Sequence, residues 1–205
     1  MEYIILYAVL ISTIIISIQA LKNVLLMDKL KFNPYHILNS KEWYRFLSYG
    51  FIHADFIHLG INMWVLWIFG KGIVWYFTYF FGELANLYFL ALYIVAIVIS
   101  VIPSFIKHKN DLLYNAVGAS GAVSAVVYAS IIISPTSEMY LFLIPFGIPA
   151  WIFGILYLVY TIVMDKRGNS TIGHSAHLWG AIYGLLFMLI VRPQTYIEFI
   201  KQILG

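Results

Sequence analysis

The sequence predicts an all-α, multi-pass membrane protein folded as a compact bundle of six transmembrane helices. Three observations predict this class. The chain of 205 residues is 62% hydrophobic and 10% charged, whereas soluble domains average about 25% charged residues. Its mean hydropathy is +0.89. Its charged residues are clustered, so that six apolar windows lie between them, and windows of about 20 apolar residues are typical of membrane-spanning helices.

The same composition excludes several classes of protein. So few charged side chains could not cover the surface of a water-soluble enzyme, and the chain is too apolar to be disordered. The net charge of +3 is too small and too scattered to indicate nucleic-acid binding. Because the chain contains no cysteine, a disulfide framework, a thiolate nucleophile and a cysteine-based zinc site are all excluded.

The apolar windows give the helices in chain order. We expect helices near residues 3–21, 55–77, 84–106, 118–136, 150–164 and 173–191. In the first window only Met1 and Glu2 precede the apolar run, which is longer than the core of a signal peptide, so a retained helix is favoured over a cleaved signal. The fifth helix should be short, because Pro149 is expected to precede its first turn near Ala150.

One long connection, residues 22–52, separates the first two helices. It mixes charged residues with large aromatic ones, whereas a flexible linker is rich in Gly and Ser. We therefore expect a structured loop whose Trp43 and Tyr44 lie at the level of the lipid headgroups. A generic aromatic belt would produce the same composition, and this alternative stays open.

Polar residues interrupt the apolar windows at three places, and the first of these opens the second helix. His53, His58 and Asn62 lie there, and the last two are four residues apart, so that they share one helical face. Polar groups inside a membrane are costly and often functional. The alternative is that they join helices through hydrogen bonds, each worth about 0.6 kcal/mol in membranes.

The fourth helix opens with a run of small residues, Gly118 to Ala125, that contains Ser120. Small residues let two helix backbones approach closely, so packing alone explains most runs of this kind. The functional alternative is that Ser120 is a nucleophile at a helix start, where unpaired backbone N–H groups face developing negative charge.

The sixth helix contains the third cluster. His177, Gly180 and Gly184 follow one another at helical spacing and so form one stripe with a histidine at its head. Such a stripe can pack against the small residues of the fourth helix. A neutral histidine in the protein core is the alternative for His177, and His174 adds a second histidine one turn earlier.

Together, the three clusters supply every part of a serine hydrolase except the acid. Ser120 would be the nucleophile, and His177 would be the general base and then the general acid. His58, Asn62 and the N–H of Ser120 would stabilise the oxyanion. Neither the fourth nor the sixth helix contains Asp or Glu. The sequence therefore predicts a Ser–His dyad, with the imidazole positioned by packing.

These clusters resemble the motifs of the rhomboid family of intramembrane serine proteases. Three family patterns recur here in the order in which the family has them, one on each of the three helices that carry polar clusters. They are His-x4-His-x3-Asn, G-x-S-G and A-H-x-x-G-x-x-x-G. A Trp-Arg pair that precedes them in the family is interrupted here by Tyr44. The matching positions are Trp43, Arg45, His53, His58, Asn62, Gly118, Ser120, Gly121, Ala176, His177, Gly180 and Gly184. The resemblance covers nearly the whole chain.

The resemblance implies a single membrane domain over residues 1–205, with the active site in a water-filled cavity below one membrane face. It implies an endopeptidase that needs no metal or other cofactor and whose partners are the lipid bilayer and the transmembrane segments of substrate proteins. Substrates would reach the site laterally, past the fifth helix. His53, Trp43 and Arg45 would support the site. Four glycines would allow close packing, namely Gly118, Gly121, Gly180 and Gly184.

Two positions depart from the family pattern. An aromatic residue often follows the nucleophile by one turn and packs beneath the catalytic histidine, but this position is Ser124 here. A glutamate that often follows the second helix has no counterpart in the corresponding stretch, Gly72 to Trp75. Neither departure removes a catalytic group.

The charges and the resemblance disagree about orientation. The family arrangement puts the N-terminus in the cytoplasm and Ser120 towards the outside, which would place nine Lys and Arg residues outside and three inside. The positive-inside rule favours the reverse. We expect the family arrangement, in the cell membrane, because loop residues such as Arg45 can be held by the structure and then weigh less as topology signals.

Two other functions fit parts of the pattern. A non-proteolytic relative could bind membrane clients with the same bundle, although such relatives generally lack the serine or the histidine. A metal transporter or metalloenzyme could use the histidines, although catalytic zinc sites typically have carboxylates nearby, and a metal explains neither the G-x-S-G motif nor Asn62. Intramembrane proteolysis accounts for all three clusters.

Overall fold

The computed structural model of the chain describes residues 2–140, 146–167 and 173–205. Within these ranges it contains ten α-helices, two short 3₁₀ turns and one pair of two-residue strands. The helices are α1 (Ile4–Lys22), α2 (Val24–Leu30), α3 (Pro34–Asn39), α4 (Arg45–Ser48), α5 (Phe56–Phe81), α6 (Ala85–His108), α7 (Ser120–Ile133), α8 (Ala150–Arg167), α9 (His174–Val191) and α10 (Gln194–Leu204). Strands β1 (Glu138–Met139) and β2 (Ile148–Pro149) pair antiparallel just before α8.

By length and composition, three stretches of the described chain are apolar and long enough to cross a membrane. They are residues 4–22, 56–108 and 174–191, and the second contains both α5 and α6, joined by a short turn. α7 is apolar but shorter, and α8 ends in charged residues. These helices form an all-α, multi-pass membrane bundle.

Polar residues at the helix starts determine where α3 and α5 begin. The carboxylate of Asp55 accepts the backbone N–H of His58 at 2.7 Å, which satisfies one of the unpaired donors in the first turn of α5. The side chain of Asn33 caps α3 in the same way, and Pro34 occupies the first helical position, where no N–H is needed.

α7 lies at the centre of the bundle and is surrounded by other helices. Every residue from Gly121 to Ala129 is buried, and α7 packs against α5, α6, α8 and α9. Its 14 residues span about 21 Å at 1.5 Å per residue, less than the roughly 30 Å of membrane hydrocarbon.

The six expected helices correspond to α1, α5, α6, α7, α8 and α9. The main difference is in α7, which spans residues 120–133 rather than 118–136. It begins later because Gly118 adopts a positive φ of +114°, which a right-handed helix does not contain. It ends earlier because Pro135 disfavours the helical conformation of the residue before it. α8 is longer than expected and continues to Arg167.

The apolar windows do not predict α10, because this helix is short and amphipathic. One face packs on the bundle, whereas Ile197, Ile200 and Leu204 are exposed. Arg192, at the end of α9, donates two hydrogen bonds to the carboxylate of Glu198, at 2.7 and 2.8 Å. These bonds lower the pKa of Glu198 and anchor α10 against the end of α9.

Residues 22–52 form a folded loop with three short helices, and Arg45 holds this loop together. The Arg45 side chain is buried. It donates to the carbonyl oxygens of Asp28 and Lys31, at 2.7 and 2.8 Å, and pairs with the carboxylate of Glu42. Because its charge is used inside the loop, Arg45 weighs little as a topology signal.

Candidate functional site

The residues directly before α7 form a tight turn that requires glycine. Gly118 has a positive φ, which other residues rarely adopt, and its N–H donates to the carbonyl oxygen of Tyr49 at 3.0 Å. A Cβ atom added to Gly118 would lie 2.6 Å from Cε1 and 2.9 Å from Nε2 of His58. The turn therefore brings the backbone against His58 and makes Ser120 the first residue of α7.

The folded loop supports the segment that leads into this turn. Phe32 and Ala116 form an isolated antiparallel bridge, with N–H to carbonyl oxygen distances of 2.9 and 3.0 Å. The amide of Asn33 donates to the carbonyl oxygen of Leu112 at 2.9 Å and to the side chain of Asn115 at 3.1 Å. The segment before α7 is therefore held in place by both backbone and side-chain hydrogen bonds from the folded loop.

His53 is fully buried and joins the turn to α1. Its Nε2 accepts the N–H of Ala119 at 3.3 Å, and its Nδ1 lies 2.9 Å from Oγ of Ser17. The Ser17 hydroxyl donates its proton to the carbonyl oxygen of Phe51, at 3.0 Å. Burial and the neighbouring His58 lower the pKa of His53 to about 3. The ring is therefore neutral, with its proton on Nδ1 and donated to Ser17.

Replacing Ser17 with alanine should lower the free energy of unfolding by about 1–3 kcal/mol, because the buried Nδ1–H of His53 loses its acceptor. Thermal unfolding of the detergent-solubilised protein measures this loss. Ser12→Ala is the matched control on α1, since the Ser12 hydroxyl bonds within the helix to the carbonyl oxygen of Val9. Equal shifts in the two variants would show that His53 does not depend on Ser17.

His58 and Asn62 occupy the first two turns of α5, on the same helical face. The His58 ring lies against Gly118 and meets the ring of His53 edge-on, with centroids 4.9 Å apart. Asn62 is buried, and one of its amide protons bonds to the carbonyl oxygen of His58 at 2.9 Å. An amide group carries a second proton that can be donated to another acceptor.

α9 approaches α7 so closely that side chains would not fit between their backbones. A methyl group added to Gly180 would overlap the carbonyl oxygen of Gly121, and one added to Gly184 would overlap that of Ala125. Helices can touch in this way only where small residues face each other. The glycine stripe of α9 therefore lies in the contact with α7.

This contact brings Ser120 and His177 onto facing turns. Gly121, which follows Ser120, lies against the carbonyl oxygen of Ala176, which precedes His177. Ser120 and His177, which come from separate windows of the sequence, thus lie on adjacent turns of α7 and α9, and His58 packs on the turn before Ser120.

Tyr157 of α8 also reaches His177, and the sequence reasoning missed it. The Tyr157 hydroxyl lies 2.9 Å from Nδ1 of His177, and the two rings are inclined by 25° with centroids 6.2 Å apart. Within residues 2–140, 146–167 and 173–205, no carboxylate hydrogen-bonds to His177. Tyr157 is one of 16 tyrosines and lies in an apolar window, so no local pattern distinguishes it.

Trp43 and Arg45 are placed in the folded loop rather than beside Ser120. Trp43 is half-exposed and packs on Phe46 and Phe105, while Arg45 is engaged with the loop backbone. Their contacts support the loop that in turn supports the turn before α7. Any influence they have on Ser120 is indirect.

The four histidines near this end of the bundle form two pairs. His53 packs against His58, and His174 packs against His177, with ring centroids 4.9 and 6.2 Å apart. Both nitrogens of His53 and Nδ1 of His177 are engaged in hydrogen bonds with the protein. In the described part of the chain, no group of three or more His, Asp or Glu side chains is placed so that it could hold a metal ion.

A lateral groove with a volume of about 610 Å³ separates α5 from α8. Trp64, Ile68 and Trp75 line it from α5, Phe153 lines it from α8, and Ser130 of α7 lies at its floor. Trp64 and Trp75 are exposed, so the groove is open at the surface of the bundle. α8 is therefore separated from α5 on one side, whereas on its other side Tyr157 hydrogen-bonds to His177 of α9.

Comparison with known proteins shows the family. A model of the Rhomboid domain matches residues 40–194, a narrower range than the nearly complete resemblance expected from the motifs. The match includes the turn before α7 and both facing residues, Ser120 and His177. It leaves out α1, α2, α3 and most of α10.

Curated relatives point to the same family. RHOMBOID-like protein 12, mitochondrial, from Arabidopsis thaliana is 30% identical over 161 residues, which cover 73% of this chain and 47% of that protein. The presenilin-associated rhomboid-like protein, mitochondrial, from Homo sapiens is 31% identical over 144 residues, 67% of this chain and 35% of that protein. Rhomboid protein 1, mitochondrial, from Saccharomyces cerevisiae is 27% identical over 140 residues, 67% of this chain and 38% of that protein. The chain thus spans less than half the length of these relatives. Because the Rhomboid domain matches most of the chain and these relatives share about 30% of its residues where they align, the chain belongs to the rhomboid family.

Proposed function

We propose that the chain is an intramembrane serine endopeptidase that cleaves the transmembrane segments of other membrane proteins with a Ser120–His177 dyad. One observation carries the proposal. Ser120 opens α7, the next residue packs on the backbone just before His177 of α9, and His58 lies against the turn that precedes Ser120. Membership of the rhomboid family supports it, because the family includes serine proteases of this kind.

The proposed reaction is an acyl transfer through a covalent intermediate. Oγ of Ser120 attacks the carbonyl carbon of the scissile peptide bond while Nε2 of His177 takes the hydroxyl proton. The C–N bond then breaks, the leaving amine receives that proton from His177, and an acyl-enzyme remains. Water attacks the acyl-enzyme with His177 again moving the proton. The ester bond breaks, and the Ser120 hydroxyl is restored.

Three groups near Ser120 can stabilise the oxyanion of this reaction. The residue before Ser120 is Ala119, which has no polar side chain to cap the first N–H groups of α7, so these donors can face the oxyanion. His58 lies against the same turn. Asn62 contributes the amide proton that is not bonded to the carbonyl oxygen of His58.

A transmembrane substrate would approach laterally, on the side of the groove between α5 and α8, whose lining on α7 begins at Val127, about 10 Å along the helix from Ser120. The tryptophan and isoleucine walls of the groove can contact the apolar side chains of a helix that arrives through the lipid. α7 is shorter than the membrane hydrocarbon is thick, which supports a Ser120 that lies below one membrane surface and can reach a bond inside a membrane segment. Lateral access past α8 also agrees with what the family resemblance implies.

Replacing Asn62 with alanine should lower kcat about 10- to 1000-fold with little effect on folding, because one oxyanion donor is lost. Cleavage of a transmembrane reporter in liposomes and thermal unfolding in detergent measure the two effects. Asn86→Ala is the matched control, since the Asn86 side chain accepts a backbone N–H from Ile5 at 3.4 Å on other helices. Unfolding of the Asn62 variant alone would show that Asn62 joins helices instead.

Reconstitution tests the proposed function. The purified protein is placed in liposomes with a panel of single-span reporters whose membrane segments contain small residues. We expect cleavage inside the membrane segment, located by mass spectrometry of the product ends, and we expect it to continue in the presence of a chelator. Failure to cleave any reporter, or cleavage that stops on chelation, would overturn the proposal.

The cellular membrane in which the protein resides is a separate question from its proposed activity. The relatives compared above are named as mitochondrial proteins, whereas the sequence interpretation expects the cell membrane. The structure and the family support an integral, multi-pass membrane protein, and the cell membrane stays a prediction. Fractionation of the source cells, followed by immunodetection, decides between the two membranes.

A further inference from the structure

The hydrogen bond between Tyr157 and His177 gives the proposed base a fixed partner. The hydroxyl oxygen and Nδ1 are 2.9 Å apart, within the range of a normal hydrogen bond. The two residues lie on different helices, α8 and α9, so the bond restrains the histidine ring from outside its own helix. The sequence had left His177 to be positioned by packing alone.

A general base of this kind needs an orienting partner. To take the Ser120 proton, His177 must keep Nε2 unprotonated and directed at Ser120, which requires the ring proton to sit on Nδ1. In Ser–His–Asp triads a buried carboxylate accepts that proton and holds the ring. α7 and α9 contain no carboxylate, and Asp165 of α8 lies two turns beyond Tyr157.

The aromatic position one turn after the nucleophile does not supply the restraint either. That residue is Ser124, which is buried on α7 and has no ring to pack beneath the histidine. The Tyr157 ring lies beside the His177 ring instead. The support that the family resemblance places on α7 is thus supplied here from α8.

We propose that Tyr157 is the positioning residue of His177, a proposal that rests on the proposed function. Its hydroxyl oxygen accepts the Nδ1 proton, which leaves the Nε2 lone pair for the proton of Ser120. When Nε2 is protonated in the reaction, the Nδ1–H···O bond persists and strengthens, because a bond from a charged donor is stronger than one from a neutral donor. Tyr157 itself neither gains nor loses a proton.

Tyr157 lies on α8 one turn after Phe153, which lines the lateral groove. α8 is fastened to α7 by the Tyr128 hydroxyl, which donates to the carbonyl oxygen of Gly154 at 2.7 Å. On its other side α8 borders the groove.

The variant Tyr157→Phe removes the hydroxyl and keeps the ring. We expect kcat for a transmembrane reporter to fall about 10- to 100-fold, the effect of losing a hydrogen bond to a charged group, with KM changed less than about twofold. The rate at which a fluorophosphonate probe labels Ser120 should fall by the same factor. This small probe does not need lateral access for a helix, so its rate reports the alignment of the dyad.

Tyr160→Phe is the matched control. Tyr160 lies one turn further along α8, is half-exposed, and its ring meets the edge of the His174 ring. Loss of its hydroxyl should leave both the cleavage and the labelling rates within about twofold of the unmodified protein. A fall in labelling as large as that of Tyr157→Phe would overturn the proposal, because it would reflect a general disturbance of α8.

Two further outcomes decide the proposal independently of cleavage. Labelling of Tyr157→Phe at the unmodified rate would overturn it while leaving the Ser120–His177 dyad intact, whereas an unmodified protein that is not labelled at Ser120 would contradict the proposed function itself. Nitrogen-15 NMR of the unmodified protein, with the His177 signal identified from His177→Ala, should show the proton on Nδ1. A resting proton on Nε2 would contradict the assigned role of Tyr157 even if the variant did not fold.

Discussion

Replacing Ser120 or His177 with alanine should lower cleavage of a transmembrane reporter by at least about 10³-fold, to the background rate. Each change removes a group that makes or breaks a bond in the proposed reaction, and the members of such a dyad act as a unit. The double variant should therefore be no slower than either single variant. Initial rates in liposomes, with protein amounts matched after reconstitution, measure the effect.

Two nearby residues are matched controls for this comparison. Ser124→Ala removes a buried hydroxyl one turn further along α7, and His36→Ala removes a histidine from the folded loop. Both should keep rates within about threefold of the unmodified protein. If Ser120→Ala retained a substantial rate, or if the double variant were far slower than both single variants, Ser120 and His177 would not act as a nucleophile and its base.

Replacing Gly180 with alanine should cost at least about 1–3 kcal/mol of unfolding free energy and abolish cleavage. The added methyl group would overlap the carbonyl oxygen of Gly121. Because the obstructing atom belongs to the backbone of the central helix, it cannot rotate away as a side chain would, and overpacking is costly in such places. α9 would have to move away from α7 and carry His177 with it. Thermal unfolding in detergent and the liposome assay measure the two losses.

Gly60→Ala is the matched control for the added methyl group. A Cβ atom at Gly60 of α5 meets no atom of the described residues within 4 Å, and alanine is a better helix former than glycine. Its unfolding temperature should therefore equal or slightly exceed that of the unmodified protein. Equal unfolding temperatures for Gly180→Ala and Gly60→Ala would show that α7 and α9 do not touch at Gly180.

The sequence predicts the ends of a helix well where charged residues flank a run of apolar ones. Charged residues are excluded from membrane hydrocarbon, so α1 and α6 end close to where their windows end. The same argument does not predict α10, because Glu198 and Lys201 interrupt its apolar residues. Its amphipathic spacing, with Tyr196, Phe199 and Ile200 on one face and Glu198 and Lys201 on the other, is the signal that could have revealed it.

The parts of the candidate site differ in how far they could be predicted. Gly118 and Ser120 are recognisable because a special backbone turn needs a particular local sequence. Tyr157 and Ser17 are not, because each acts through one hydrogen bond to a residue on another segment. Hydrophobic periodicity identifies the face of a helix that is buried, but it does not identify which polar atom on that face meets a partner.

The most direct measurement of the central claim is the site at which a fluorophosphonate probe attaches to the protein. The probe is added to the detergent-solubilised chain and to His177→Ala, and the modified residue is found by peptide mass spectrometry. The Ser120–His177 dyad predicts one adduct, on Ser120, and its loss in the His177 variant, because without a base the hydroxyl is a weak nucleophile. An adduct on another residue, or labelling of Ser120 at the same rate in His177→Ala, would contradict it.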